Sequence, residues 1–243
     1  GAMAFDAKGK PRGTLSAGTS TPGRVRLSIG GVARNIAENL ARLGTRTVLI
    51  SAVGDDPVGH LLLDATTESG VDTSQVIVSP QHRTGAYIAV LDRTGVPAHA
   101  IDDVAVIEML TPELIRRQEQ LFCDAAMIVL DANIPPETLQ SAFALAERYE
   151  RPVCVDPVSA SLAPRLLPHL SQVYLTAPNL QEAAAIVGAG WRDRDAERDT
   201  LHETQRLAMR LVDMDVEIAI ITLAEMGLYY ATSDENGRVP ALE

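Results

Sequence analysis

Apolar positions recur along this chain at two periods, and their alternation predicts an α/β architecture. The runs Met127-Ile128-Val129-Leu130 and Ile218-Ala219-Ile220-Ile221 are apolar on both faces, as a parallel sheet covered by helices on both sides requires. Strands are predicted at Thr47–Ala52, Ala126–Ala132, Val153–Asp156, Val173–Thr176 and Glu217–Leu223. Helical spacing predicts helices at Ala33–Leu43, Val58–Ser69, Pro136–Glu150, Leu180–Val187 and Thr200–Val212. In the first of these Ile36, Leu40 and Leu43 form a stripe, with the small Ala33, Ala37 and Ala41 alongside. A doubly wound, mostly parallel α/β sheet follows.

Two stretches break the rhythm. Lys8–Arg26 is rich in Gly, Pro, Ser, Thr and Arg and carries little helical pattern. Thr84–Asp103 is a β-hairpin pattern turning at Arg93-Thr94-Gly95, inserted among helices, so it is expected to stand off the main sheet as a flap. Such flaps exclude water from chemistry. With no repeat or low-complexity linker, the expectation is one domain over 1–243 with a small β lid from segments near 8–28 and 84–103.

Composition narrows the partners. Hydrophobic residues are 46% and charged residues 22% of 243, ordinary globular material, and the net charge of −11 repels phosphate backbones and anionic lipid heads. Nucleic acid and membrane are thereby disfavoured, and neutral small molecules are not. Cys123 and Cys154 lack partners at metal-ligand spacing and are expected to be buried free thiols in a reducing compartment. No apolar run reaches transmembrane length and no signal-peptide pattern opens the chain, so the cytoplasm is expected. The five histidines are scattered, so neither a zinc site nor a histidine-based triad is legible. Asp193–Glu203 is expected to be a solvated acidic face and Trp191 a packing anchor.

The sharpest local feature is Gly30-Gly31-Val32-Ala33-Arg34-Asn35-Ile36-Ala37. A double glycine before a helix lets backbone approach a ligand, and Asn35, one turn in, can offer a carboxamide to a hydroxyl. Alone, this is equally a tight turn before a helix, and it lacks the Gly-x-Gly-x-x-Gly dinucleotide pattern. Asp131-Ala132-Asn133 and Val155-Asp156-Pro157-Val158-Ser159 follow apolar strands at the end where open α/β sheets place ligands, although Asp-Pro also forms turns. Asn179-Leu180-Gln181-Glu182 is a capping box, which would also fix the Glu182 carboxylate at that rim.

The order and spacing of these pieces resemble the PfkB, or ribokinase-like, carbohydrate kinases. Gly30-Gly31, Asn35, Ala37, Gly44 and Gly54 match the family's first motif, and Val53-Gly54-Asp55-Asp56-Pro57-Val58-Gly59 looks like its Val-Gly-x-Asp-x-x-Gly element. The resemblance implies that Asp6, Gly30, Gly31 and Asn35 hold a sugar, with Thr84, Asp103, Asp131 and Asn133 completing the acceptor site. Ala4 stands where the family carries the Asn of Asn-x-Asp, so one polar contact is missing. Asn179 and Glu182 are implied to organise Mg²⁺ and the phosphates of ATP. Thr222-Leu223-Ala224-Glu225-Met226-Gly227 is similar to the nucleotide-contacting Thr-Leu-Gly-x-x-Gly turn, which implicates Thr222, Glu225 and Gly227, with Ala224 in place of a glycine.

The wording of the first motif and of Asp-Pro-Val-Ser is most like the pseudouridine kinases of that family. The implied reaction is transfer of the ATP γ-phosphate to a nucleoside ribose 5′-hydroxyl, with ribokinase-like and adenosine-kinase-like readings beside it, and with two copies pairing through their lids. The family's Gly-Ala-Gly-Asp, which supplies the anion hole and base, does not follow Gly227, nor does a buried strand precede Gly1. The expectation is therefore that residues 1–243 alone lack turnover. A non-catalytic nucleoside-binding protein is the rival reading. An NAD-dependent oxidoreductase, the other rival, lacks its fingerprint.

Overall fold

The computed structural model describes residues 1–15, 18–190 and 197–241. Trp191 and the 193–196 part of the acidic stretch lie outside them. The chain divides into two compact units, Gly1–Leu110 and Thr111–Glu243.

In the first unit, β1 (Ala4–Pro11) and β2 (Gly23–Gly30) form an antiparallel pair. Residues 8–11 and 23–26 of the stretch with little helical pattern are therefore strand. Arg24-Val25-Arg26-Leu27-Ser28-Ile29 alternates with period two, a strand signal that the Gly and Pro of the intervening turn obscure. There follow α1 (Val32–Arg42), β3 (Ser51–Gly54), α2 (Pro57–Glu68) and β4 (Val76–Ser79). The hairpin of β5 (Ala86–Leu91) and β6 (Pro97–Asp103) stands where predicted. Asp92 builds its turn, its Oδ1 accepting the amides of Thr94, Gly95 and Val96, each at 2.9 Å.

Four of these strands make one sheet in the order β2-β1-β5-β6, with β1 parallel to β5. β3 and β4 pair in parallel as a separate two-stranded sheet. The strand predicted at Thr47–Ala52 is displaced to Ser51–Gly54, because regular pairing starts only where β4 begins at Val76. Val48 makes just an isolated bridge to Asp72. The core joins Met3, Ala33, Ala37, Leu49, Val53, Leu62 and Val71.

The second unit holds α3 (Pro112–Arg117), α4 (Glu119–Asp124), β7 (Ile128–Asp131), α5 (Pro136–Arg148), β8 (Val153–Asp156) and β9 (Val173–Thr176). Then come α6 (Leu180–Ile186), α7 (Glu197–Val212), β10 (Ile218–Thr222), β11 (Leu228–Ala231) and β12 (Asn236–Val239). The sheet order is β12-β11-β10-β9-β8-β7, parallel from β7 to β10 and antiparallel beyond. Helix α5 shows why such helices form here. Leu139, Ala142, Phe143 and Ala146 share one face and are fully buried, and Phe143 stacks on His169 with ring centroids 4.4 Å apart. Each large apolar side chain so buried contributes about 1.5–3 kcal/mol.

Two smaller expectations change. Cys123 and Cys154 are free but only partly buried, since the strand and helix ends that carry them leave one side open. Burial still pushes the Cys154 thiol up. The described end of the acidic stretch is not simply solvated, because Thr200 is buried and Glu203 pairs with Arg206. Among the described residues no helix is long and apolar enough to cross a membrane.

Candidate functional site

The double glycine is a packing necessity. A Cβ on Gly30 would lie 2.5 Å from Asp6 Oδ1, and Gly31, at φ 95°, would bring one within 2.5 Å of the Ala2 carbonyl. Gly30 thus makes room for the Asp6 carboxylate, which among the described residues is otherwise engaged only by Lys8 Nζ at 3.6 Å. Asn35 is exposed on the first turn of α1. Its Oδ1 accepts from Arg34 Nη1 at 3.3 Å, while Arg34 is itself buried and held by Glu38 and by Thr66 Oγ1. Asn35 Nδ2 makes no hydrogen bond among the described residues.

Thr84, expected at the acceptor site, is bonded within the first unit. Its hydroxyl donates to Asp56 Oδ1 at 2.8 Å, its amide donates to Asp56 Oδ2 at 2.9 Å, and its Oγ1 accepts from the Gly54 amide at 3.0 Å. Asp56 is also the N-cap of α2, accepting from the Gly59 amide at 2.8 Å ahead of Pro57. Burial alone would raise the Asp56 carboxyl, but the amides of Thr84, Gly59 and Val58 and the Thr84 hydroxyl outweigh it and hold the group below its ordinary value. A Cβ on Gly54 or Gly59 would collide with this knot. Asp-Pro at a helix start signals the cap; nothing local signals Thr84. Asp103 ends β6 opposite Ala86, exposed, accepting from the Ala105 amide at 3.3 Å.

In the second unit the carboxylates gather at the C-terminal ends of the parallel strands. Asp131 and Asp156 end β7 and β8 as register partners. Asp131 is fully buried and accepts from the Asn133 amide at 3.1 Å; Asn133 is buried as well. Asp156 accepts from the Val158 amide at 2.7 Å, and Val158 takes φ 66°, a left-handed conformation costly for a β-branched residue. Arg165 Nη1 holds the loop after β7 through the Ala132 carbonyl at 3.0 Å. Motif reading places Asp156 at this rim, and the strand register sets it beside Asp131; Arg165, which carries no motif, reaches the same loop from the helical segment after β8.

Glu182 shares this rim. The capping box is present, with the Glu182 amide donating to Asn179 Oδ1 at 3.0 Å and the Asn179 amide donating to Glu182 Oε2 at 2.9 Å. Asn179 also bridges to Thr222, whose amide donates to the Pro178 carbonyl at 2.9 Å, so the start of α6 is tied to the end of β10. Burial, and then the Asp156 charge, push the Glu182 carboxyl up against the lowering bonds from Asn179. Burial is likewise the main cause of a raised Asp156, with Asp131 adding to it.

In the turn after β10, Thr222 and Glu225 are exposed. Ala224 sits at φ 50°, where a glycine would be unstrained, and Gly227 at φ 89° has no room for a Cβ beside the Val239 carbonyl. Among the described residues no three His, Cys, Asp or Glu side chains form a ready metal cage. The rim therefore gathers the carboxylates of Asp131, Asp156 and Glu182, suited to accepting from hydroxyls or to meeting a cation that brings other ligands with it.

Known proteins resemble this arrangement. The family model described as pfkB family carbohydrate kinase matches residues 1–243. The pseudouridine kinase of Escherichia coli (strain K12) is 32% identical over 238 residues, 98% of this chain and 73% of that protein. The pseudouridine kinase of Arabidopsis thaliana is 31% identical over 190 residues, covering 78% of this chain and only 50% of that protein. Among solved structures, Arabidopsis thaliana ribokinase complexed with ribose and ATP superposes with a TM-score of 0.77 at 17% identity, over 99% of this chain and 76% of that one, a likeness of fold. The chain belongs to the pfkB family of carbohydrate kinases, and its fold is ribokinase-like.

Proposed function

We propose that this chain carries the acceptor- and nucleotide-binding residues of an ATP-dependent nucleoside kinase that phosphorylates the ribose 5′-hydroxyl of pseudouridine. The observation that carries the reading is the Asp6–Gly30-Gly31–Asn35 arrangement, an aspartate and an exposed amide beside a backbone stripped of side chains, in a chain 32% identical to a pseudouridine kinase. Asp6 accepts from ribose hydroxyls and Asn35 Nδ2 donates to one. Asp103, Asp131 and Asn133 line the acceptor side, and Thr84 acts by fixing the entry to β5. Thr222, Glu225 and Gly227 meet the nucleotide.

Mg²⁺ fits the donor set at Glu182. It prefers oxygen, keeps several waters and takes its other ligands from phosphates, so one or two carboxylates suffice. Glu182, raised by burial and by the Asp156 charge, and Asp156, raised by burial and by the Asp131 charge, would both be relieved by a cation nearby. Bound there with ATP, it would supply charge neutralisation at the phosphates. No residue of 1–243 is assigned as the base for the 5′-hydroxyl.

The four-stranded sheet is read as a lid through which two copies pair. Leu27, Ala7, Ile88 and Ile101 are cross-strand neighbours in one row, and Leu27, Ile88 and Ile101 are 60%, 53% and 72% exposed. A second copy covering that row would remove the apolar surface from water. ATP use and free thiols fit the cytoplasm.

The test is ATP-dependent phosphorylation of pseudouridine, uridine, adenosine and ribose by residues 1–243 and by the complete gene product. Preference of the complete product for pseudouridine is expected. Faster turnover of ribose or adenosine would overturn the substrate, and nucleoside binding without ATP consumption would leave a binding protein.

A further inference from the structure

The face of the four-stranded sheet opposite its apolar row carries an arrangement that folding alone disfavours. Lys8 lies directly across from Arg26, and Lys10 directly across from Arg24. Strand alternation puts all four on one face, in two adjacent cross-strand rows. They include both lysines of the chain. Like charges opposed across a strand pair destabilise it. Lys8 has partial relief from Asp6 at 3.6 Å, while Lys10, Arg24 and Arg26 are exposed and have no ion pair among the described residues. β2 is an edge strand, and charge protects edges from pairing with other chains. Alternating signs would protect it equally and would attract across the strands, so edge protection explains the charge but not its single sign.

We propose that this face is a binding site for the polyphosphate chain of a nucleoside triphosphate. Four cations in two rows, about 4.8 Å apart across the strands and about 6.8 Å along them, match a short chain of phosphates carrying comparable negative charge. The patch is too small for an extended polyanion. The net charge of −11 over the whole chain also repels nucleic acid and anionic membrane. The site lies one row along β1 from Asp6, shares no residue with the Asn179–Glu182 rim, and does not depend on phosphoryl transfer.

The experiment titrates the complete protein with inorganic tripolyphosphate, ATP and orthophosphate at low ionic strength, following the amide signals of Gly9 and Val25 and the dissociation constants. Tripolyphosphate and ATP are expected to shift those amides, and added salt to weaken both. Lys10→Glu is expected to weaken tripolyphosphate binding at least tenfold and to raise the melting temperature, because it turns a repulsive pair into an attractive one. Arg117→Glu makes the same change in net charge on an exposed residue of α3 and is expected to leave binding unchanged. Absence of tripolyphosphate binding, orthophosphate binding as tight as tripolyphosphate, or equal weakening by both variants would each overturn the proposal. Loss of kinase activity with the tripolyphosphate response intact would instead count against the nucleoside-kinase reading alone.

Discussion

Asp56 in the first unit and Asp156 in the second are both carboxylates at the edge of a sheet, each beside a proline, and their surroundings treat them oppositely. Asp56 collects donors from Thr84, Gly59 and Val58, enough to overcome its desolvation and hold the carboxyl low. Asp156 is raised first by burial and then by Asp131, and the one opposing donor, the Val158 amide, does not outweigh them. A carboxylate whose own chain supplies its donors is a structural part. A buried one left short of donors is suited to a ligand that brings them.

The largest effect that could break this comparison is Asp56→Ala. Removing the cap and orphaning the Thr84 and Gly59 amides is expected to cost about 2–4 kcal/mol in urea denaturation. A loss below about 1 kcal/mol would mean the knot is not structural. Glu182→Gln should behave in the reverse way. The isosteric amide can keep the capping geometry, so stability should hold while ATP-dependent turnover by the complete product falls roughly 10- to 100-fold. Equal losses in both measurements would erase the distinction between the two regions.

Acid should separate them further. The depressed Asp56 carboxyl contributes stability that is present above its unfolded value, near 4, and lost as pH falls through its lower folded value. Asp156 and Glu182, with folded values raised, contribute stability that is fully present below their unfolded values and lost as pH rises through the folded ones. Asp156→Asn is therefore expected to stabilise the protein more at pH 7 than at pH 4, and Asp56→Asn to destabilise it more at pH 7 than at pH 3. Melting curves across that range check both signs. The smallest effect is at Val158, where glycine would relieve the left-handed backbone at some cost in chain entropy, for a net gain of at most about 1 kcal/mol.

The same two regions differ in what the sequence discloses. Val153–Asp156 and Val173–Thr176 are strands to the residue, and the Asn179–Glu182 capping box is present as its spacing implies. Each is a local signal, an apolar run or a three-residue reach. The strands within Lys8–Arg26 were obscured because β1 gains its place from β5, some eighty residues later, and its Gly and Pro speak for a loop. The Asp56–Thr84 knot spans 28 residues and leaves no periodic trace. The meeting of Asp131 with Asp156 depends on strand register, which neither sequence segment carries by itself. Glycine-rich motifs announced that backbone comes close at Gly30 and Gly31; that the Asp6 carboxylate is what Gly30 accommodates is a fact of three dimensions.

The Glu182 capping box also bears on which ion the rim would accept. One oxygen of the side chain, Oε2, is already committed to the Asn179 amide. A metal arriving at Glu182 would meet Oε1, without a hydrogen bond among the described residues, more readily than Oε2, which already has one lone pair engaged. Calcium draws strength from carboxylates that clasp it with both oxygens in a loose, crowded shell, whereas magnesium is content with one oxygen per ligand in a tight octahedron. A bond whose evident task is to start a helix would thereby act as a sieve between the two commonest divalent cations of the cell.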